Sequence, residues 1–145
     1  MKKPSQTIFY TIERAIKEYR KFAQKQFNDR KKNITIDQSL ILFYIFEQSE
    51  LSQSEIGDLI FKDNASISRM IELMIKNDYL VREMNNEDRR KSNLVPTQKG
   101  REVFSDLKNI IANNRETALI DISENEILQL AQTLNKIIAN CQVKL

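Results

Sequence analysis

Apolar residues recur at steps of three and four along most of the chain, which is the spacing of one face of an α-helix. The pattern starts in a long segment, residues 5–29, and predicts further helices up to the C-terminal region. The apolar positions are Ile8, Ile12, Ile16, Tyr19, Ala23 and Phe27; Ile56, Leu59 and Ile60; Ile67, Met70, Ile71, Met74 and Ile75; Val103, Phe104, Leu107, Ile110 and Ile111; and Ile127, Leu130, Leu134, Ile137 and Cys141.

Residues that cap helix N-termini stand before these segments. In a capping box, a Ser or Thr side chain and a Glu or Gln three residues later each satisfy a free backbone donor of the first turn. The sequence predicts three such boxes and two single caps. The boxes are Thr35 with Gln38, Ser52 with Glu55, and Ser123 with Glu126. The single caps are one of Asp63, Asn64 and Ser66 before the segment that contains Ile67, and Thr97 before the segment that contains Val103.

Two short stretches differ from the helical pattern. The pattern predicts a strand at Leu80–Met84 and a return strand at Asn93–Val95, which a charged loop joins and Pro96 ends. The apolar run Leu40–Phe46 fits a buried strand or a helix that is apolar all round, and the capping box before it favours a helix. The order of elements predicts a mostly α protein with a small β-wing, a winged helix-turn-helix.

Composition narrows the class of protein. A chain of 145 residues with 41% hydrophobic residues is expected to form one domain, and two Gly and two Pro are too few for an all-β sandwich or barrel. The absence of His removes the commonest general base and metal ligand, and no glycine-rich phosphate loop is present. The sequence therefore predicts no enzyme, no cofactor and no metal site.

Positive charge is concentrated at the start of the chain. Residues 1–33 contain ten Lys or Arg and three Asp or Glu, a net charge of +7, whereas residues 34–100 have a net charge of −3 and residues 101–145 of −1. A basic region of this kind suits an anionic partner such as nucleic acid, and it equally suits a solvated helix face. Charge alone does not distinguish the two.

Nothing in the sequence predicts export or membrane insertion. No apolar segment follows the first residues as a secretion signal requires, and the longest apolar run has seven residues, Leu40–Phe46, where a membrane helix needs about 20. A single Cys excludes an internal disulfide and fits a reducing compartment. We therefore expect a cytoplasmic protein without a membrane partner.

The segment from Asp88 to Gly100, DRRKSNLVPTQKG, resembles the wing of the MarR family of bacterial transcriptional regulators, with Pro96 in place of a Leu. Residues 66–82 resemble the recognition helix and following strand of that family, and residues 51–56 resemble the start of the preceding helix. Two departures concern the recognition helix. Asp78 replaces a Gly in a turn that needs a left-handed residue, and Leu73 replaces a polar or basic residue.

The resemblance implies a single MarR-type domain over residues 1–145. Residues 34–100 would form the winged helix-turn-helix, and residues 1–33 and 101–145 would form helices through which a homodimer assembles. Such a dimer binds a pseudo-palindromic site on double-stranded DNA, usually as a repressor that a small-molecule effector releases. The long first helix and the seam Ile127–Cys141 also favour a homodimer, because they carry more apolar surface than one winged domain can cover. The alternative is that these segments only fold back on their own chain.

The resemblance also implies which residues meet DNA. The recognition helix would contribute hydroxyl and guanidinium groups, and Arg90 would enter the minor groove with Asp88 as its partner. Arg89 and Lys91 would meet phosphates. The full set is Ser66, Ser68, Arg69, Asp88, Arg89, Arg90 and Lys91. The alternative is a winged helix that contacts proteins and does not bind DNA.

An effector site in this family lies between the dimerisation helices and the winged region. Here it would be lined by Tyr19, Phe43, Tyr44 and Phe104, which as apolar helix residues also fit plain core positions. Cys141 is on the apolar face of the last helix, so we expect a buried, unreactive thiol. Peroxide-sensing members carry their Cys near the first helix, where this chain has none.

Overall fold

The computed structural model describes residues 1–48, 50–84, 86–88 and 92–142. The chain forms two compact units, Met1–Asn114 and Arg115–Leu145. The elements, in chain order, are a 3-10 turn at Pro4–Gln6, α1 (Ile8–Asp29), α2 (Ile36–Glu47), α3 (Gln53–Leu59), α4 (Asn64–Lys76), β1 (Leu80–Met84), β2 (Ser92–Pro96), α5 (Gln98–Ala118) and α6 (Glu124–Cys141). The winged helix-turn-helix order is confirmed.

The helices begin where the caps predict. Each of the three capping boxes is present, with both of its side-chain to backbone hydrogen bonds. Before α4, the cap is Asp63, whose carboxylate accepts a hydrogen bond from the backbone N–H of Ser66 at 2.7 Å. The hydroxyl of Thr97 accepts one from the backbone N–H of Gly100 at 3.0 Å and so opens α5.

The apolar run of ambiguous pattern is helical and belongs to α2. Ile41, Leu42 and Ile45 are buried, whereas Phe43 and Phe46 keep 45% and 37% of their surface exposed. The helix therefore has a core face and an aromatic outer face, which the sequence pattern alone did not separate.

The core of the first unit joins α1, α2, the helix pair α3–α4, β1 and the first half of α5. Helical steps bring one face of each helix inward, and the largest side chains that are fully buried come from all of these elements. They are Phe27, Ile41, Leu42, Ile56, Ile67, Ile71, Met74, Leu80 and Leu107.

The two strands form an antiparallel ribbon. Leu80 pairs with Pro96 and Met84 with Ser92, so β2 begins one residue earlier than predicted and includes the proline. Proline has no N–H to donate, and the next residue, Thr97, donates its N–H to the carbonyl of Tyr79 at 3.1 Å. The ribbon thus joins directly to the start of α5.

In the second unit, α6 has no buried residue. Leu128, Leu130 and Ile138 expose 57%, 59% and 51% of their surface. The expectation of a buried thiol is wrong for the single chain, because Cys141 is exposed. Its helical position places it on an apolar face, but helical phase does not supply the residues that would cover that face.

Burial changes along α1. Ala23 and Phe27 near its end are buried in the core of the first unit, whereas Ile8 and Ile16 near its start expose 59% and 55% of their surface. The first half of the predicted apolar stripe is thus uncovered in one chain. Over the described residues, no helix combines the length and the apolar character needed to cross a membrane.

Candidate nucleic-acid interface

Helices α3 and α4 meet at a tight turn that leaves one face of α4 open. The carbonyl of Gly57 accepts a hydrogen bond from the N–H of Lys62 at 2.8 Å, which closes the turn. A Cβ added at Gly57 would lie 3.0 Å from the carbonyl oxygen of Lys62, so the turn can pack this closely against α3 because the residue is small. Phe61 occupies the turn with φ 60°, and its side chain is exposed.

The N-terminus of α4 is fixed by its cap. The backbone hydrogen bond from Ser66 is the main cause that lowers the pKa of Asp63, and the positive charge of Arg69 adds to it. Asp63 is therefore a carboxylate at neutral pH. The helix starts at a defined residue, which fixes the phase of the side chains that follow.

Helical phase divides α4 into two faces. Ile67, Ile71 and Met74 are buried in the core of the first unit. Arg69, Glu72, Leu73 and Lys76 are exposed, and Ser66 and Ser68 are half-buried at the edges of the open face. The structure thus brings the three predicted residues of this helix, Ser66, Ser68 and Arg69, to one end of α4, with Arg69 in the middle of its open face.

Polar side chains from α3 and β1 line the edge of α4 at Ser68. The side-chain amide of Gln53 donates a hydrogen bond to the hydroxyl oxygen of Ser68 at 2.7 Å. Arg82 donates to Glu72 at 2.9 Å and to the side-chain oxygen of Gln53 at 3.4 Å. The sequence pattern did not point to Gln53 or Arg82. The position of Gln53 directly after the N-cap Ser52 could have marked it as a residue that faces the neighbouring helix. No nearby residue in the sequence indicates that Arg82 contacts Gln53 and Glu72.

The base of the wing is tightly packed against α5. Asp78 adopts φ 64°, as expected for a residue that replaces glycine in the turn after α4. The Thr97 hydroxyl donates to the carbonyl of Asp78 at 2.5 Å, and the ammonium of Lys99 donates to the carbonyl of Asn77 at 2.8 Å. Burial raises the pKa of Tyr79, whose hydroxyl donates to the carbonyl of Asn33.

The other predicted DNA contacts belong to the sequence segment between β1 and β2. Asp88 is half-buried. Arg89, Arg90 and Lys91 lie outside the described residues, so their predicted roles stay predictions.

Three of the four predicted effector residues lie together in the first unit. The rings of Phe43 and Tyr44 meet edge to face at 5.6 Å, and Phe43 lies 6.5 Å from Phe104. Phe46, which is not among the predicted effector residues, stacks on Phe104 at 4.3 Å. Tyr19 is half-buried on α1 and takes no part in the ring contacts found among the described residues.

One cation accompanies this aromatic cluster of Phe43, Tyr44, Phe46 and Phe104. The ammonium of Lys108 lies 4.9 Å from the centre of the Phe104 ring, within the range of a cation–π contact. Within residues 1–48, 50–84, 86–88 and 92–142, no group of three or more His, Cys, Asp or Glu side chains is arranged to hold a metal ion.

Part of the chain matches a family of known proteins. The model of the MarR family matches residues 34–92, which include α2, α3, α4 and β1. The transcriptional regulator MgrA of Staphylococcus aureus is 24% identical over 129 residues, which cover 89% of this chain and 84% of that protein.

Solved structures share the fold over nearly the whole chain. Bordetella bronchiseptica BpsR, whose DNA binding is regulated by 6-hydroxynicotinic acid, superposes with a TM-score of 0.83 at 17% identity and covers 99% of both chains. The S. aureus MepR–DNA complex gives a TM-score of 0.82 at 20% identity, over 97% of this chain and 100% of that chain. The chain thus shares its winged helix-turn-helix fold with these structures, and its residues 34–92 match the model of the MarR family.

Proposed function

We propose that the protein is a DNA-binding transcriptional regulator that acts as a homodimeric repressor and is released by a small-molecule effector. The observation that carries DNA binding is the open face of α4, which presents Arg69 next to the capped end of the helix. An α-helix fits the major groove, where an Arg can bind a guanine edge or a phosphate. The relative MepR has been solved in complex with DNA, which supports the same partner here.

The homodimer is supported by apolar surface that a single chain leaves open. The uncovered side chains belong to the first half of α1 and to α6, the two regions that the resemblance assigns to dimerisation. Ile8, Phe9, Ile16, Leu130 and Ile138 each expose more than half of their surface. A monomer rarely exposes so many large apolar side chains on its helices, and a two-fold dimer would place two copies of α4 about 34 Å apart on a pseudo-palindromic site.

The effector proposal rests on the aromatic cluster. Exposed rings on α2 combined with the ammonium of Lys108 suit a small aromatic anion. Regulation of BpsR by 6-hydroxynicotinic acid supports aromatic carboxylates as the first class to test. The division into dimerisation helices, residues 1–33 and 101–145, and a winged region, residues 34–100, belongs to the same proposal, as do the predicted contacts of Asp88, Arg89, Arg90 and Lys91.

The function is tested by measuring affinity against salt for DNA upstream of the gene that encodes the protein. Wild type should bind with an affinity that falls steeply with salt. Arg69→Ala should weaken binding by about 1–3 kcal/mol, and it should make the salt slope shallower by about one unit if Arg69 meets a phosphate.

Lys25→Ala is the matched control, because Lys25 is an exposed cation whose ion-pair partner, Asp29, lies on the same helix. This variant should bind DNA as the wild type does. Failure of the wild type to bind any DNA at low salt would contradict the proposal and favour a winged helix that contacts proteins. Equal losses for both variants would show that only net charge matters and that α4 has no special role.

A further inference from the structure

Three side chains from different elements form a directed chain of hydrogen bonds beside the open face of α4. The guanidinium of Arg82 on β1 lies 3.4 Å from the side-chain oxygen of Gln53 on α3. The amide nitrogen of Gln53 lies 2.7 Å from the hydroxyl oxygen of Ser68 on α4. Glu72, one turn further along α4, holds the same guanidinium at 2.9 Å.

The direction of this chain follows from the chemistry of its ends. A guanidinium can only donate, so Arg82 selects the oxygen end of the Gln53 amide. The nitrogen end then points to Ser68, and because an amide nitrogen only donates, the serine oxygen accepts. The hydroxyl proton of Ser68 is left to donate elsewhere, and among the described residues it has no hydrogen-bond acceptor.

We propose, on the basis of the function proposed above, that Gln53 and Arg82 are positioning residues that fix the Ser68 hydroxyl as a hydrogen-bond donor towards DNA. Left to itself, a serine hydroxyl rotates and can either donate or accept. Held in this way, the hydroxyl has one lone pair occupied and its proton directed away from Gln53, so it favours a hydrogen-bond acceptor on DNA over a donor such as the amino group of cytosine or adenine. The acceptor is an oxygen of a phosphate or an acceptor atom on a base edge.

The proposal is tested by reversing the chain. Gln53→Glu keeps the size of the side chain but replaces the donating nitrogen by an oxygen, so that the Ser68 hydroxyl turns inward and donates to the new carboxylate. In wild type, Ser68→Ala should weaken DNA binding about threefold to tenfold, the effect of one net hydrogen bond. In the Gln53→Glu background, Ser68→Ala should change the affinity less than twofold.

Gln98→Glu is the control for the added negative charge, because the side chain of Gln98 is exposed and bonds to Glu102 and Arg101 within α5. In this background Ser68→Ala should keep its full effect. The proposal is overturned if Ser68→Ala has no effect in wild type, or if it has the same effect with and without Gln53→Glu. A wild type that binds no DNA would instead contradict the proposed function itself.

The same variants identify the source of the acceptor. A Ser68→Ala effect that depends on the base pair at one position of the site indicates a base edge, since acceptors there change with sequence. An effect that is equal on all sequences, and is lost when one phosphate is replaced by a methylphosphonate, indicates a phosphate oxygen. A Ser68→Ala effect that follows neither pattern would mean that the hydroxyl does not bond to DNA, and would overturn the proposal.

Discussion

Gly100 lies where the first turn of α5 crosses the backbone of Tyr79, at the base of the wing. A Cβ at this position would lie 2.2 Å from the carbonyl oxygen of Tyr79 and 3.2 Å from its carbonyl carbon. The same carbonyl accepts the N–H of Thr97, so it cannot move away without losing that hydrogen bond. Only glycine leaves room for the backbone of Tyr79 at this position. Its low helix propensity is the cost of this close approach.

Gly100→Ala should therefore destabilise the protein by about 1–3 kcal/mol, the usual cost of overpacking a well-packed site. Helix propensity alone would give the opposite sign, a gain of up to about 1 kcal/mol. Urea unfolding followed by circular dichroism measures the change.

Gly57→Ala is the comparison, because its Cβ would meet the nearest atom at 3.0 Å. It should lower the unfolding midpoint less than Gly100→Ala does. If Gly100→Ala raised the midpoint, the close approach at Tyr79 would not limit this site.

Among the elements, α4 depends on a cap that titrates. Because Ser66 lowers the pKa of Asp63 in the folded state, folding is favoured by the ionised form. This contribution is complete above the pKa of Asp63 in the unfolded chain, and it is lost as the pH falls through the lower folded-state value. Asp63→Ala should thus lower the urea midpoint at pH 7, and the difference from wild type should shrink in acid, below about pH 4.

Asp63→Asn separates the cap from the charge. Asparagine is also a good N-cap, so this variant should stay closer to wild type at pH 7 than Asp63→Ala. Its difference from wild type should also shrink with acid. A gap between Asp63→Ala and wild type that stays constant from pH 7 to pH 3 would mean that the carboxylate is not what stabilises α4.

Three elements are joined by the carboxylate of Asp37 in the first turn of α2. Arg20 on α1 lies 2.5 Å from one of its oxygens, and Lys62 in the turn before α4 lies 3.4 Å from the other. The side chain of Asp37 is 17% exposed, so these contacts are better shielded from water than a surface pair. We expect Asp37→Asn to destabilise the protein by about 1–2 kcal/mol in urea unfolding.

Asp29→Asn provides the matched control, since Asp29 pairs with Lys25 four residues away on the exposed surface of α1. Such a pair is worth about 0.3–0.5 kcal/mol. Equal effects of the two substitutions would show that the contacts of Asp37 between elements add nothing beyond an ordinary surface pair.

At the scale of the whole molecule, the proposed dimer depends on the apolar surface of α6. Leu130 is 59% exposed in the single chain, so a charged residue there should not disturb the fold of one chain. If α6 forms the dimer interface, Leu130→Asp places a charge in it without a partner, which is costly. We expect this variant to sediment as a monomer and to lose DNA binding together with dimerisation.

Gln132→Asp introduces the same charge about 200° further round the helix, away from the apolar seam. It should remain dimeric. A Leu130→Asp protein that is dimeric in sedimentation equilibrium at micromolar concentration would contradict the role of α6 in the proposed dimer.

The sequence by itself determined the order of the elements and the residues at which the capped helices begin. Caps act within three residues, and helical and strand periods are local, so Thr35, Ser52 and Ser123 and the two strands could be placed without any tertiary contact. The charged wing between β1 and β2 was enough to suggest the family. These features are short in range, which is why a single sequence contains them.

Tertiary structure alone decided which side chains meet and which faces stay open. The contacts of Gln53 with Ser68 and Arg82 span 15 and 29 residues, and no periodicity encodes them. The stack of Phe46 on Phe104 joins α2 to α5 in the same way. Cys141 shows the limit of periodicity most clearly, since helical phase identifies an apolar face but only packing in space decides whether anything covers it.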